Sequence, residues 1–162
     1  MQLGLEKTNV RFSDSGELLI SGGDDKRLLL WNLHDLKVVK EFKGHQNNVF
    51  NIHFAFSDHY LYSCGLDGLI LKYNTERGGA KNNQPCDVLH DHESSVMKIS
   101  VSPCNPNILL SASLDGTVRL WDLRAQEACK GILVRADEQK AVTFQKSTDS
   151  LFLIGGEHGN IE

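Results

Sequence analysis

No run of apolar residues in this chain approaches the ~20 that an α-helix needs to cross a bilayer. The first ten residues, MQLGLEKTNV, lack the cationic start and apolar core of a secretory signal. Lys and Arg nowhere cluster, and 17 of them against 21 Asp and Glu leave a formal net charge of −4. A phosphate-neutralising surface is therefore not expected, and neither nucleic acid nor membrane is an expected partner. None of the four cysteines (Cys64, Cys86, Cys104, Cys129) forms a CxxC pair. Reduced thiols in a cytoplasmic or nuclear protein fit that usage better than a disulfide framework. Gly22-Gly23 and Gly155-Gly156 stand in no GxGxxG or Walker context, so no cofactor is expected.

What the chain does have is a repeat. The segments ISGGDDKRLLLWN (20–32), YSCGLDGLILKYN (62–74) and LSASLDGTVRLWD (110–122) share one plan: a turn with an Asp, then an apolar strand that ends in a large aromatic. Trp31, Tyr73 and Trp121 are 42 and 48 residues apart, and Asp25, Asp67 and Asp115 repeat the same spacings. A period near this length with strands on both sides of the turn indicates blades of a β-propeller. The expected fold is all-β, with about three and a half four-stranded blades in residues 1–162. The copies fall at about 8–43, 44–90, 91–134 and a truncated 135–162, an incomplete propeller.

In the second copy the expected strands are Val49 to Phe54, Tyr60 to Gly65, Leu69 to Tyr73 and a short one near Asp87 to Leu89. In the third they are Val96 to Val101, Ile108 to Ser113, Thr117 to Trp121 and Cys129 to Val134. Turns rich in Gly, Asp, Asn and Pro separate them. The polar segment Asn74 to Cys86 reads as a long loop.

Each of these two copies also carries a His, a Ser, an Asp and an aromatic at matching positions: His45, Ser63, Asp67 and Tyr73, then His92, Ser111, Asp115 and Trp121. Buried together, an imidazole, a hydroxyl and a carboxylate are costly unless each satisfies another. The Trp121 indole is expected to donate to Ser111, and the Tyr73 hydroxyl to take the indole's place in the second copy. A Ser-His-Asp catalytic triad contains the same elements, but it would occur once and in a cleft, not twice in register with a fold repeat. No catalytic residue is therefore assigned. Cys86, His90 and His92 lie close in sequence without paired metal-ligand spacing, so no metal site is assigned either. The innermost strands, Val49 to Phe54 and Val96 to Val101, offer His53, Lys98 and Ser100 to a central channel, too little for a propeller enzyme. In the fourth copy Arg135, Ile154 and His158 stand at the His, Ser and Asp positions. That blade is expected to rely on apolar packing by Val142, Phe144, Leu151 and Leu153.

With these tetrads and repeats the chain resembles the WD-repeat propellers from about Val10 to Ile161. Trp121-Asp122-Leu123-Arg124 further matches the WDxR signature of the substrate receptors of cullin-four ubiquitin ligases, whereas Trp31-Asn32-Leu33-His34 and Tyr73-Asn74-Thr75-Glu76 do not. The runs SGGDDKRLLLW, VFNIHFAF and HESSVMKISVSPCNPNILLSASLDGTVRLWDLR are similar to those of cullin-four-associated factor five and its relatives. That resemblance implies a receptor that docks to the ligase's damaged-DNA-binding adaptor through Trp121, Asp122 and Arg124 and presents an unidentified substrate protein for ubiquitylation. The alternative is a general WD-repeat scaffold without a ubiquitin role.

Overall fold

The computed structural model describes residues 7–55, 58–76, 83–125, 128–148, 150–159 and 161. Every regular element among them is a strand. The first antiparallel sheet contains β1 (Lys7–Phe12), β2 (Leu18–Gly23), β3 (Leu28–Asn32) and β4 (Lys37–Phe42), paired in chain order. The second contains β5 (Val49–Phe54), β6 (Tyr60–Gly65), β7 (Ile70–Asn74) and β8 (Asp87–Leu89). The third contains β9 (Val96–Val101), β10 (Ile108–Ser113), β11 (Thr117–Asp122) and β12 (Cys129–Val134). A two-stranded sheet, β13 (Gln139–Phe144) with β14 (Phe152–Gly156), follows. These are blades of a β-propeller, three with four strands and one represented by two.

The β6–β7 and β10–β11 turns explain why these segments form hairpins. Gly68 and Gly116 take φ of 76° and 78°, a left-handed conformation that glycine adopts without a Cβ clash. Lys26 holds the matching place in the first blade at φ 64°, a position that costs any residue with a side chain.

Packing follows from the two-residue period of a strand. On β6 and β7, Leu61, Leu71 and Tyr73 face the first blade and bury with Ile20, Leu30 and Phe42. Their neighbours Tyr62, Cys64 and Ile70 face the third blade and bury with Val96, Ile99 and Trp121. Each buried aliphatic side chain contributes about 1.5–3 kcal/mol, and neither face of a blade is covered until a neighbour packs on it. The contacts between blades therefore hold the arc together.

The innermost strands have a sheet partner on one edge only, so the other edge leaves backbone groups to satisfy. Side chains of adjacent blades do this. Asn9 Nδ2 donates to the Phe50 carbonyl at 3.2 Å, the Ile99 amide to Asn51 Oδ1 at 3.2 Å, and the Phe144 amide to Ser100 Oγ at 3.2 Å. At the loops, the Asp58 carboxylate accepts the Asp14 and Ser15 amides at 2.9 and 3.0 Å.

The fourth sheet corrects one expectation. Val142, Phe144 and Ile154 are buried against Leu110, Ala112 and Val118, but Leu151 and Leu153 are 60% and 57% exposed. Leu153 is adjacent to Ile154 on β14, so alternation sends it to the opposite face, against which no sheet packs among the described residues. The residue at the Ser position, Ile154, does the packing instead. A smaller shift occurs at β7, which starts at Ile70 instead of Leu69, because the Leu69 amide is used in the turn, donating to Asp67 Oδ1 at 3.2 Å. Six of the thirteen residues of the expected loop 74–86, residues 77–82, lie outside the described residues. Its start is fastened to the first blade by Lys40 Nζ, which donates to the Asn74 carbonyl at 3.0 Å.

Candidate functional site

In the third blade, Trp121 Nε1 donates to Ser111 Oγ at 2.8 Å. Ser111 Oγ lies 2.6 Å from His92 Nε2, and His92 Nδ1 lies 2.7 Å from Asp115 Oδ2. A carboxylate can only accept, so Nδ1 carries the proton, Nε2 is the acceptor, and the Ser111 hydroxyl donates to it. The Glu93 amide, the Thr117 amide and the Thr117 hydroxyl also donate to Asp115, at 3.1, 2.8 and 2.6 Å. Burial alone would raise the Asp115 pKa, but the Thr117 and His92 hydrogen bonds outweigh it and hold the carboxyl at about 2. His92 sits below its ordinary value, because burial disfavours the charged ring more than Asp115 favours it.

The second blade repeats most of this. His45 Nε2 is 2.7 Å from Ser63 Oγ and its Nδ1 2.9 Å from Asp67 Oδ2. The Gln46 and Leu69 amides complete the Asp67 carboxylate, which lies below its ordinary pKa; burial acts in the opposite direction, and the His45 bond leads the effects that overcome it. Tyr73 departs from expectation. Its hydroxyl is buried with no hydrogen-bond partner among the described residues, and burial pushes the phenol well above the ordinary tyrosine range. The ring packs against Phe42, centroids 5.0 Å apart, and the hydroxyl lies near enough to Ser63 for that side chain to oppose the effect of burial, but not in the geometry of the indole's bond to the serine.

The bonding order Ser–His–Asp is that of a hydrolase triad. Ser63 and Ser111 are both 0% exposed, however, so no substrate carbonyl can approach either hydroxyl. Both sets tie the loop before an innermost strand to the turn between the next two. In the first blade the described residues show the aromatic–serine bond, Trp31 Nε1 to Ser21 Oγ at 3.0 Å. The position corresponding to His45 there is Leu3, outside the described residues.

The Trp121–Arg124 segment lies on the opposite side of the blades from those loops. In all three four-stranded blades the residue after the aromatic turns the chain by accepting the amide two residues on. Asn32 accepts from His34 at 2.8 Å, Asn74 from Glu76 at 2.7 Å and Asp122 from Arg124 at 3.1 Å. An Asn thus makes the turn as well as an Asp does. What the third blade adds is charge. Arg124 Nε and Nη2 donate to Asp122 Oδ1 and Oδ2 at 2.9 and 2.7 Å, a bidentate pair. The guanidinium holds Asp122 down at about 2 and Asp122 raises Arg124. The Arg124 side chain remains 60% exposed, so the fork is not free but three of its five N–H donors are not used by Asp122. A groove of about 480 Å³ runs beside it, between the second and third blades, lined in part by Val88, Leu89, Trp121, Leu123, Ala125 and Ala128. Among the described residues no helix is long and apolar enough to cross a membrane.

Residues 7–32, 36–74 and 83–122 match the family model described as WD domain, G-beta repeat. The chain belongs to the WD-repeat family. Among curated WD-repeat relatives, the chain is 36% identical over 121 residues to DDB1- and CUL4-associated factor 5 of Homo sapiens, covering 71% of this chain and 12% of that protein. It is 34% identical over 121 residues to DDB1- and CUL4-associated factor 6 of Homo sapiens, covering 73% of this chain and 14% of that protein. It is 28% identical over 153 residues to a component of Chromatin assembly factor 1 of Gallus gallus, covering 82% of this chain and 26% of that protein. The WD-repeat segment in hand thus spans a small part of the length of these relatives.

Proposed function

We propose that this propeller is a docking module of a cullin-four ubiquitin ligase substrate receptor, bound to the ligase's damaged-DNA-binding adaptor through Asp122 and Arg124; Trp121, expected to join them, is instead 1% exposed and bonded to Ser111, so it supports the turn from the core. The observation that carries it is the Asp122–Arg124 pair. The turn is made equally well by Asn32 and Asn74, so an Arg clipped to an Asp is not required to form it; the like clip of Arg27 on Asp25 in the first blade lies at the other turn, between the second and third strands. Asp122 fixes the guanidinium at the surface, which lowers the entropy an interface would lose in ordering it. The remaining N–H groups are then pre-set for carbonyls or a carboxylate of the partner, and the groove beside them, lined by Asp87, His90 and Asp91 as well as Val88 and Leu123, supplies area. Two relatives named for association with DDB1 and CUL4 support the same reading. Such a module performs no chemistry of its own, and its substrate protein would sit on another surface. The receptor would work in the cytoplasm or nucleus.

Co-purification of the full-length protein with the DDB1 adaptor tests this. Arg124→Ala is expected to cost about 2 kcal/mol, a roughly thirtyfold loss of affinity typical of an interface hot spot. Arg124→Lys should rescue little, because an ammonium cannot keep the fork on Asp122. Adaptor recovered equally with wild type and Arg124→Ala, or with neither, defeats the proposal. The second reading, a scaffold without a ubiquitin role, is favoured by the similarity to a chromatin assembly factor component over a longer stretch, 82% of the chain. It would then become the working answer.

A further inference from the structure

The innermost strands β1, β5, β9 and β13 are each six residues long, and their fifth residues are Arg11, His53, Ser100 and Thr143. These four equivalent positions, one from each blade, line a single cavity of about 330 Å³, together with Asp14 and Lys146 from the adjoining loops. The ring of four therefore combines a guanidinium, an imidazole and two hydroxyls without a carboxylate.

His53 fixes the geometry. Its Nδ1 is 2.6 Å from the Phe54 carbonyl, and Arg11 Nη2 is 3.0 Å from its Nε2. A carbonyl only accepts and a guanidinium only donates, so the ring carries its proton on Nδ1 and is neutral. Burial, then the charges of Arg11 and Lys98, lower the His53 pKa to about 4, which keeps it so at neutral pH. Arg11 is thus anchored by an uncharged acceptor, and its positive charge is not cancelled. Among the described residues no carboxylate forms an ion pair with Arg11 or Lys146, although Asp14 lines the same cavity. Four of the five Arg11 N–H donors remain. Ser100 Oγ accepts the Phe144 amide at 3.2 Å and keeps its own hydrogen to give.

We propose that this ring is a binding site for the phosphate group of a small phosphorylated molecule. Arg11 and Lys146 hold its charge, and the Ser100 hydroxyl donates to its oxygens. Thr143 joins them by giving up its long 3.3 Å bond to the Phe144 carbonyl. Convergent cationic and hydroxyl donors suit a tetrahedral oxyanion. A volume near the lower end of the ~300–1,000 Å³ of ligand pockets admits a small molecule and not a folded segment. Arg11 and Lys146 outweigh Asp14 in the lining, so the site is cationic in a chain whose net charge is −4.

The test is a titration of the full chain with inorganic phosphate and with pyrophosphate at matched ionic strength. It would be followed by calorimetry and by the His53 ring resonances in NMR. Saturable binding is expected, with the His53 titration moving upward from about 4 as a bound anion offsets Arg11. Arg11→Gln should weaken binding about tenfold or more, as expected when a charge-assisted bond is removed, and Lys146→Gln should weaken it by less. Lys140→Gln, an exposed lysine already paired with Glu157, should leave it unchanged. If Arg11→Gln does not fold, Lys146→Gln in its exposed loop carries the test alone. A response equal to that given by chloride, or unaltered affinity in the folded variants, overturns the proposal.

Discussion

The second and third blades carry the same tetrad with different fittings. In the third, the serine receives a hydrogen bond from Trp121 and the aspartate receives four, one of them from the Thr117 hydroxyl. In the second, Leu69 stands in place of Thr117, the aspartate is held by His45 and two backbone amides, and the Tyr73 hydroxyl has no partner among the described residues. A network in which every buried group is satisfied stiffens its surroundings, and one with an orphan gives part of that gain back. The third blade should therefore be the better tied of the two, and it is also the blade that carries Arg124.

The largest effect should come from removing the imidazole. His92→Ala leaves Ser111 and an almost fully buried Asp115 carboxylate short of a partner, which costs about 3–5 kcal/mol in comparable buried pairs. His45→Ala should cost less, about 2–3 kcal/mol, because the network it belongs to already lacks the aromatic donor to its serine. Urea unfolding of the two variants beside wild type measures the difference. Equal losses would remove the distinction between the blades.

Acid should separate the blades next. His92 and Asp115 both lie below their ordinary values of 6.5 and 3.8. On acidification the unfolded chain binds these protons first, so the stability they contribute is full at neutral pH and is lost as pH falls. The His92 part goes as pH drops below 6.5 and the Asp115 part as it drops from 3.8 towards about 2. In the second blade the depressed carboxyl is Asp67, whose part is lost only below 3.8. His53, held at about 4, adds a loss of the same sign in every variant. The fall in unfolding midpoint between pH 7 and 5 should be shallower in His92→Gln than in wild type. An unchanged slope would mean that His92 is not a depressed group.

The repeat makes most of this fold readable from the residues alone. The turn aspartates and strand-ending aromatics mark hairpins, and β5, β6 and β9 fall where alternation and turn residues put them. The His–Ser–Asp spacing is readable because it recurs in two copies. What escapes depends on reach and on which faces are covered. Tyr73 and Trp121 are equivalent in sequence, yet whether a phenol spans the gap an indole spans is set by ångströms. Leu153 and Ile154 are equally apolar, and only the presence of the third blade on one side decides which is buried. Arg11 is hidden as a partner of His53 because 42 residues separate them, and only the stacking of blades brings equivalent positions face to face. The Asp122 clip on Arg124 is likewise hidden, since the WDxR spacing does not say whether the guanidinium folds back on the aspartate.

The smallest predicted effect is also the most discriminating. Tyr73→Phe removes a hydroxyl that is buried without a partner among the described residues and leaves the ring packed on Phe42. Nothing is lost but a desolvated polar atom, so the substitution should be neutral or stabilise the protein by up to about 1 kcal/mol. Trp121→Phe in the third blade should do the reverse, because it deletes the donor to Ser111 and opens space in a core where Trp121 is 1% exposed. A loss of about 2 kcal/mol or more is expected there. A thermal unfolding series on both variants checks the pair. If Tyr73→Phe destabilises as Trp121→Phe does, the phenol is bonded in solution, and the two blades are held by the same network after all.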